Sequence, residues 1–275
     1  MNFGLIIVGD EILSGKRADA HLAKTIALLG ERGLALSWAR YVGDERERIA
    51  ATLREAFASG DAVFSCGGIG ATPDDHTRQA AAAALGVPLV LHPLAKERIV
   101  ERMREVAAEQ GTSYDADRPD NVHRLNMGVF PQGAEIIENP YNKIPGFTCA
   151  SPTSRGAVHF LPGFPVMAWP MMAAVLDTRY ADRHGQARTR ERSVVVYGAA
   201  EAALTPLMEA IEARFAGLKV FSLPSVDHPQ HGRHVELGVK GGEAAQVEQG
   251  FAALLEGLRA AEAKLGPTMV RGATT

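Results

Sequence analysis

The sequence predicts an α/β protein: a doubly wound, mostly parallel sheet over residues 1–178, then a small α+β module over 193–265. Three observations predict it. Short apolar runs such as Gly4–Val8 are continuous instead of alternating, as in strands buried on both faces. Segments with helical apolar periodicity separate these runs. The order strand, helix, strand, helix, strand, glycine loop, helix belongs to a parallel sheet covered on both sides.

Gly4–Val8 is the first strand. A helix follows from Asp19, with Leu22, Ile26 and Leu29 at i, i+4 and i+7, and stops near Gly30 and Gly33. Leu34–Val42 is the second strand, and Ile49, Leu53 and Phe57 mark a helix ended by Gly60. Ala62–Ser65 is the third strand, and the alanine-rich Thr77–Leu85 is a helix closed by Gly86. Leu94–Gln110 is a charged helix whose mixed lysines, arginines and glutamates suit a solvated face. Tyr114–Met127 shows no clear period. Ala134–Glu138 and Ala157–Leu161 are further strands, and a helix from about Pro165 to Tyr180 closes the domain. The polar stretch 179–192 reads as a linker. Beyond it come a strand at Ser193–Gly198, a helix at Glu201–Phe215, strands at Lys219–Leu223 and His234–Lys240, and a final helix at Glu243–Leu265. Gly266–Thr275 is expected to fray.

Composition excludes several classes. Lysine plus arginine is 29 against 32 for aspartate plus glutamate, a net charge of −3, so there is no basic footprint for nucleic acid. Gly238-Val239-Lys240-Gly241 has the spacing of an RNA-binding Gly-x-x-Gly loop but lies at the end of a strand, so nucleic acid is not expected. Two cysteines, Cys66 and Cys149, make no disulfide framework and suit a reducing compartment. The apolar stretch Val166–Leu176 holds Pro170 and is too short to cross a bilayer, and the start lacks a signal-peptide pattern. The expectation is a cytoplasmic protein without membrane contact.

The segment that carries chemistry is Ser65-Cys66-Gly67-Gly68-Ile69-Gly70-Ala71-Thr72-Pro73-Asp74-Asp75-His76-Thr77. It lies between a buried strand and a helix, where ligands bind in open parallel sheets. Glycines let backbone N–H groups approach an anion, and the helix N-terminus adds partial positive charge, so a phosphate is the natural guest. Without a ligand the same residues are a glycine-rich turn with Asp74 or Asp75 as helix cap. An aspartate beside a phosphate repels it unless a divalent cation such as Mg²⁺ bridges them. Asp75 is one such acid; Asp44, after the second strand, and Asp10 and Glu11, after the first, are delivered to the same edge. Each can instead cap a helix. Two Pro-Gly clusters, Asn139–Phe147 and Phe160–Pro165, follow later strands, and the second precedes a helix. Lys143 in the first can reach a phosphate. Cys66 beside a helix start is a small residue in a crowded turn or a thiol of lowered pKa. His228, His231 and His234 read as a loop between strands before they read as a zinc site. Trp38, Trp169, Met167, Met171 and Met172 read as packing residues.

Four motifs carry a family resemblance: Gly9-Asp10-Glu11-Ile12-Leu13-Ser14-Gly15-Lys16, Val42-Gly43-Asp44, Gly67 through Thr77, and Leu161-Pro162-Gly163-Phe164-Pro165. They resemble the MoaB/Mog-like molybdopterin-binding fold, and within it the amino-terminal domain of CinA-type (competence/damage-inducible) proteins. The module after residue 193 resembles the KH-like domain that follows it there. The resemblance implies a phosphorylated pterin or nucleotide, with molybdopterin as one candidate ligand. Its ligand-binding residues would be Gly9, Asp10, Glu11, Gly67, Gly68, Gly70, Thr72, Asp74, Thr77, Asn139, Pro162 and Gly163. Asp44 and Asp75 look like the acids that hold Mg²⁺ or another divalent cation and act in catalysis. CinA-type domains imply metal-dependent hydrolysis of ADP-ribose at its pyrophosphate; the alternative is a molybdopterin- or nucleotide-binding protein without turnover. A homo-oligomer is implied by resemblance alone. The sequence departs from the usual family residues at Cys66, Ile69, Ala71 and Lys143-Ile144. Full-length CinA proteins add a carboxy-terminal deamidase domain, which does not fit within this chain, so that activity is not expected.

Overall fold

The first strand, β1 (Phe3–Val8), is buried at all six positions because helices cover both its faces. Ile6 and Val8 point into one apolar layer, and Phe3, Leu5 and Ile7 into the other. This is the computed structural model of residues 1–185, 190–228 and 232–272, and the chain divides into two units, Met1–His184 and Gly185–Thr275.

In the first unit β1 is followed by a one-turn helix α1 (Asp10–Leu13), α2 (His21–Glu31), β2 (Leu36–Val42), α3 (Arg46–Ser59), β3 (Ala62–Cys66) and α4 (Thr77–Leu85). Then come β4 (Leu89–Leu91), α5 (Pro93–Glu109), α6 (Pro119–Arg124), β5 (Val129–Pro131), β6 (Glu135–Ile137), β7 (Gly146–Ala150), β8 (Ala157–Leu161) and α7 (Pro165–Arg179). The sheet order is β2-β1-β3-β8-β7-β6, and β4 pairs with β5 separately. The four strands from β2 to β8 are parallel, and β7 and β6 extend them antiparallel. Helices α3 and α4 lie in one layer, and α2 and α7 in the other. Gly4 pairs with Trp38 of β2, and a Cβ there would meet the indole at 2.3 Å, so the strand needs a glycine beneath the ring. Gly60 and Gly86 end α3 and α4 in left-handed conformation, as read from the sequence.

Several local expectations change. On α2 the buried stripe is His21, Thr25, Leu28 and Leu29, whereas Ile26 is 53% exposed. The periodic Leu22–Ile26 line was one position off because a buried histidine and threonine stand where apolar residues were sought. The unassigned 114–127 stretch contains α6, started by Pro119 and followed by a 3-10 turn at Leu125–Gly128. Strand β7 falls partly inside the Asn139–Phe147 segment read as a turn cluster, because Gly146 marks a strand start here. A Cβ on Gly146 would meet the Phe160 carbonyl oxygen at 2.3 Å.

The second unit has the order β9 (Arg190–Tyr197), α8 (Glu201–Arg214), β10 (Lys219–His228), β11 (Gly232–Gly241), α9 (Ala244–Ala260) and β12 (Lys264–Arg271). Its antiparallel sheet runs β10-β11-β9-β12. Leu204, Ile211, Val247, Phe251, Leu254 and Leu258 of the two helices pack on Val194, Val196, Val235, Leu237 and Val239. Two expectations are corrected. The final helix stops at Ala260, and the tail expected to fray is the edge strand β12 as far as Arg271. Gly266-Pro267 hid it: the ladder with β9 shifts register between Leu265 and Thr268, and proline donates no ladder bond, which an edge strand tolerates. Likewise the segment read as linker holds the last residue of α7, Arg179, and the first three of β9. Gly238–Gly241 lies inside β11. His228 and His234 face each other edge-on at 5.3 Å, while His231 lies outside the described residues. Among the described residues no helix is long and apolar enough to cross a membrane.

Two core features of the first unit give measurable consequences. Phe130, Phe147 and Phe160 form a fully buried stack with centroids 4.5 and 4.4 Å apart. Phe147→Ala leaves a hole in the middle of the stack and is expected to lower the unfolding free energy by about 3–5 kcal/mol in denaturant titration. Second, His159 of β8 is buried between Thr148 Oγ1 at 2.8 Å and the Tyr180 hydroxyl at 2.7 Å. Burial first, then Arg179, pushes its pKa down to about 3. Unfolding returns it to about 6.5, so the unfolded chain binds more protons between those values and stability falls as pH drops through that window. The slope from this residue is at most about 1.4 kcal/mol per pH unit. Unfolding curves from pH 7 to 4 for wild type and His159→Met should differ by this slope; identical pH dependence would contradict it.

Candidate functional site

The carboxyl ends of β1, β2, β3 and β8 converge on a cavity of about 500 Å³. Backbone packing shapes its floor. The Gly67 N–H donates to the Leu161 carbonyl at 3.0 Å, tying the glycine loop to β8. A Cβ on Gly67 would stand 2.2 Å from the Val8 carbonyl oxygen, and φ there is +107°. Gly68, at φ +68°, turns its carbonyl toward the Thr77 N–H at 3.0 Å, and a Cβ would meet Thr77 Oγ1 at 2.2 Å. Thr77 Oγ1 donates to the Gly67 carbonyl, also at 3.0 Å. The loop is therefore clamped at both ends, and the N–H groups of Gly68, Ile69, Gly70 and Ala71 donate to no acceptor among the described residues.

The acids surround this floor. Asp44 and Asp10 exchange hydrogen bonds: Asp10 N–H to Asp44 Oδ2 at 2.9 Å, and Asp44 N–H to Asp10 Oδ1 at 3.2 Å. Burial raises the Asp44 pKa above the usual carboxylate value; the Asp10 N–H opposes this, and repulsion from Asp10, Glu11 and Asp74 adds to it. Asp75 Oδ2 accepts from the Thr72 N–H at 2.8 Å and Thr72 Oγ1 at 2.5 Å, while the Asp75 N–H donates to the Thr72 carbonyl. This corrects the helix-cap expectation. Helix α4 begins at Thr77 with His76 in the cap position, and neither Asp74 nor Asp75 caps it, because Asp75 is closed back on its own loop.

Most residues singled out in the sequence meet here. Gly9, Glu11, Asp44, Gly67, Gly68, Gly70, Thr72, Asp74, Asp75, Asn139, Pro162 and Gly163 all line the cavity. Asp10 and Thr77 do not; they hold Asp44 and the glycine loop from behind. Asn139 is buried and internally engaged, donating to Asn142 Oδ1 and the Ile144 carbonyl and accepting from the Tyr141 N–H. Lys143 turns away: at φ +62° its ammonium pairs with Glu101 at 2.7 Å and with Glu105, both on α5.

The cation on the cavity wall is instead Arg17, 3.8 Å from Glu11 and 5.7 Å above the Phe164 ring. Nothing in the local pattern of Lys16-Arg17 marked it. His21 was missed too: it is buried, meets the Gly163 carbonyl through Nε2 at 3.0 Å, and leaves Nδ1 without a partner. Asp19, just ahead of α2, accepts from the His21 and Leu22 N–H groups and so fixes the start of the helix that carries it. Met167, read as packing, lines the cavity, whereas Met171 and Met172 are core. Cys66 is buried and its thiol is pushed up to about 12, which makes it an inert packing residue.

Similar proteins cluster in one group. A CinA-like protein of Anaeromyxobacter sp. (strain K) is 36% identical over 166 residues, 60% of this chain and 38% of that one. A CinA-like protein of Geobacter metallireducens is 32% identical over 80% of this chain and 51% of its own. The chain thus spans about half the length, or less, of these CinA-like relatives. A protein of Pyrobaculum calidifontis is 31% identical over 82% of both chains. The crystal structure of the protein CinA, of unknown function, from Thermoplasma acidophilum superposes with a TM-score of 0.53 at 28% identity, covering 64% of this chain and 98% of that one. With the family model matching residues 4–181, the chain belongs to the probable molybdopterin binding domain family.

Proposed function

We propose that the cavity binds a phosphorylated pterin or a nucleoside diphosphate and that it hydrolyses a pyrophosphate such as that of ADP-ribose with a divalent cation. The observation that carries this reading is the run of residues from Gly68 to Ala71, whose N–H groups have no partner among the described residues, in the lining of a cavity that Asp44 and Asp75 also line. Free amides held in place by their neighbours fit an anion, and nearby carboxylates fit that anion only with a cation between them. Gly67 is not one of the donors, since its N–H is spent on Leu161.

A divalent cation suits the donors present. Asp44 and Asp75 each keep one carboxylate oxygen, Oδ1, without a donor among the described residues. No third His, Cys, Asp or Glu groups with them as a metal cage among the described residues, which matches Mg²⁺, commonly held by one or two carboxylates plus water and phosphate oxygens. When bound, such a cation neutralises phosphate charge and makes water a better nucleophile. The chain's own residues do the rest. The amides hold one phosphate, Arg17 reaches the rim of the cavity, and Asp75, fixed by Thr72, orients an attacking water through its free oxygen. Binding without turnover is the second reading, and the use of Asp75 Oδ2 as a loop brace favours it.

AMP release from ADP-ribose with Mg²⁺, Mn²⁺ or Co²⁺ decides between them. Asp44→Asn and Asp75→Asn are expected to lower kcat by about 10²-fold or more, the scale of losing a group that acts in the transition state. Ligand binding with no product from wild type would leave the binding reading standing. A separate variant tests the cradle: Gly68→Ala forces a Cβ toward Thr77 Oγ1 at a positive φ. It should weaken ADP-ribose binding in calorimetry by at least about tenfold, and unchanged affinity would remove the glycine loop from the site.

A further inference from the structure

Behind the glycine loop lies a second cavity of about 360 Å³, walled by the same Ala71, Thr72 and Asp75 that face the first. Arg78 of α4 lines it and is 95% buried, since its relative exposure is 5%. One Arg78 Nη2–H donates to the Gly70 carbonyl; Nε is buried without any partner, and no carboxylate forms an ion pair with this guanidinium among the described residues. Asp75 is the acid on this wall and acts on Arg78 only through space, because its Oδ2 is turned onto Thr72. A buried cation left in this condition destabilises the empty protein unless an anion joins it. Asn126 and His76, at the start of α4, are further polar groups of this lining, while both ring nitrogens of His123 are engaged, Nε2 with the Ala71 carbonyl at 2.8 Å and Nδ1 with the Asn126 amide.

We infer that this second cavity is an anion site, with Arg78 as its charged ligand and a phosphate or phosphate monoester as its occupant. A bare hydrocarbon or a cation would leave the guanidinium uncompensated. The site is separate from the diphosphate cradle: Asp44, Arg17 and Gly163 face only the first cavity, while Arg78, His123 and Asn126 face only the second. An anion held there would sit against the outer side of the loop whose inner side carries the free amides.

The test uses the full chain and inorganic phosphate as probe, measured by equilibrium dialysis with Mg²⁺ and a non-hydrolysable methylene analogue standing in for ADP-ribose in the first cavity. Wild type should bind one phosphate that the analogue does not displace. Arg78→Met should lose it by at least about tenfold in Kd, the scale of removing one partner of a charge-assisted bond. Because Arg78 also braces Gly70, a second variant is needed. Asn126→Asp places a negative charge on the opposite wall, leaves that brace alone, and should weaken phosphate equally while affinity for the analogue stays within about twofold. No phosphate bound to wild type at millimolar concentration, or phosphate binding unchanged in both variants, overturns the inference. Absence of analogue binding counts against the first cavity's reading only, since phosphate that depends on Arg78 and Asn126 still upholds the second.

Discussion

The close approach of the β1, β3 and β8 ends is the constraint on which the site depends. Gly67 sits where the Val8 carbonyl, the Leu161 carbonyl and Gly163 all crowd one Cα, and no side chain fits there. Thr77 then locks the loop from the helix side by donating twice, from its hydroxyl to the Gly67 carbonyl and from its N–H to the Gly68 carbonyl. The four residues that follow Gly67 line the cavity, and their N–H groups have no acceptor among the described residues. Each amide left without a protein partner would cost free energy if buried, so water or a ligand must meet it. The sheet thus creates a demand for an acceptor before any side chain contributes.

The sequence made this much legible for a physical reason. A loop that must contain glycines at fixed places, between an apolar run and an alanine-rich helix, leaves a local trace. So did the acids at three strand ends, since Asp10 and Asp44 meet only because β1 and β2 are neighbours in a parallel sheet. What stayed hidden was tertiary. Arg17 and His21 matter because of Phe164 and Gly163, residues nearly 150 positions away. Lys143 read as an exposed loop lysine or as a cation able to reach a phosphate, and only the fold places it beside the glutamates of α5. Asp75 looked like a helix cap because capping and loop closure use the same short acid at the same spacing, and only the Thr72 hydroxyl separates the two. In the second unit, Gly266-Pro267 masked an edge strand for the same kind of reason: a bulge breaks the period that a reader of sequence relies on.

Charge explains how the two faces of the loop relate. On the inner side Asp10, Glu11, Asp44 and Asp74 crowd together, and the raised pKa of Asp44 records that crowding as well as burial. On the outer side Arg78 is buried with its own pKa lowered by desolvation, and Asp75 opposes that shift. A crowd of acids and a buried guanidinium without an ion-pair partner among the described residues are therefore separated by one strip of backbone. Neither can relax toward the other, because Asp75 is committed to Thr72 and Arg78 to Gly70.

Such separation has a consequence for ligand choice. The inner face offers free amides to an anion and a ring of acids that repels it, so an anion alone and a cation alone are each half matched. A phosphate that arrives with its counter-cation satisfies both sets of groups at once, whereas a neutral pterin or nucleoside satisfies neither. The loop is short and clamped at both ends, so an anion that fixes its outer side removes freedom the inner amides would otherwise lose on binding. Ala71 and Thr72 line both cavities, so any coupling between the two occupants runs through this strip and is reciprocal.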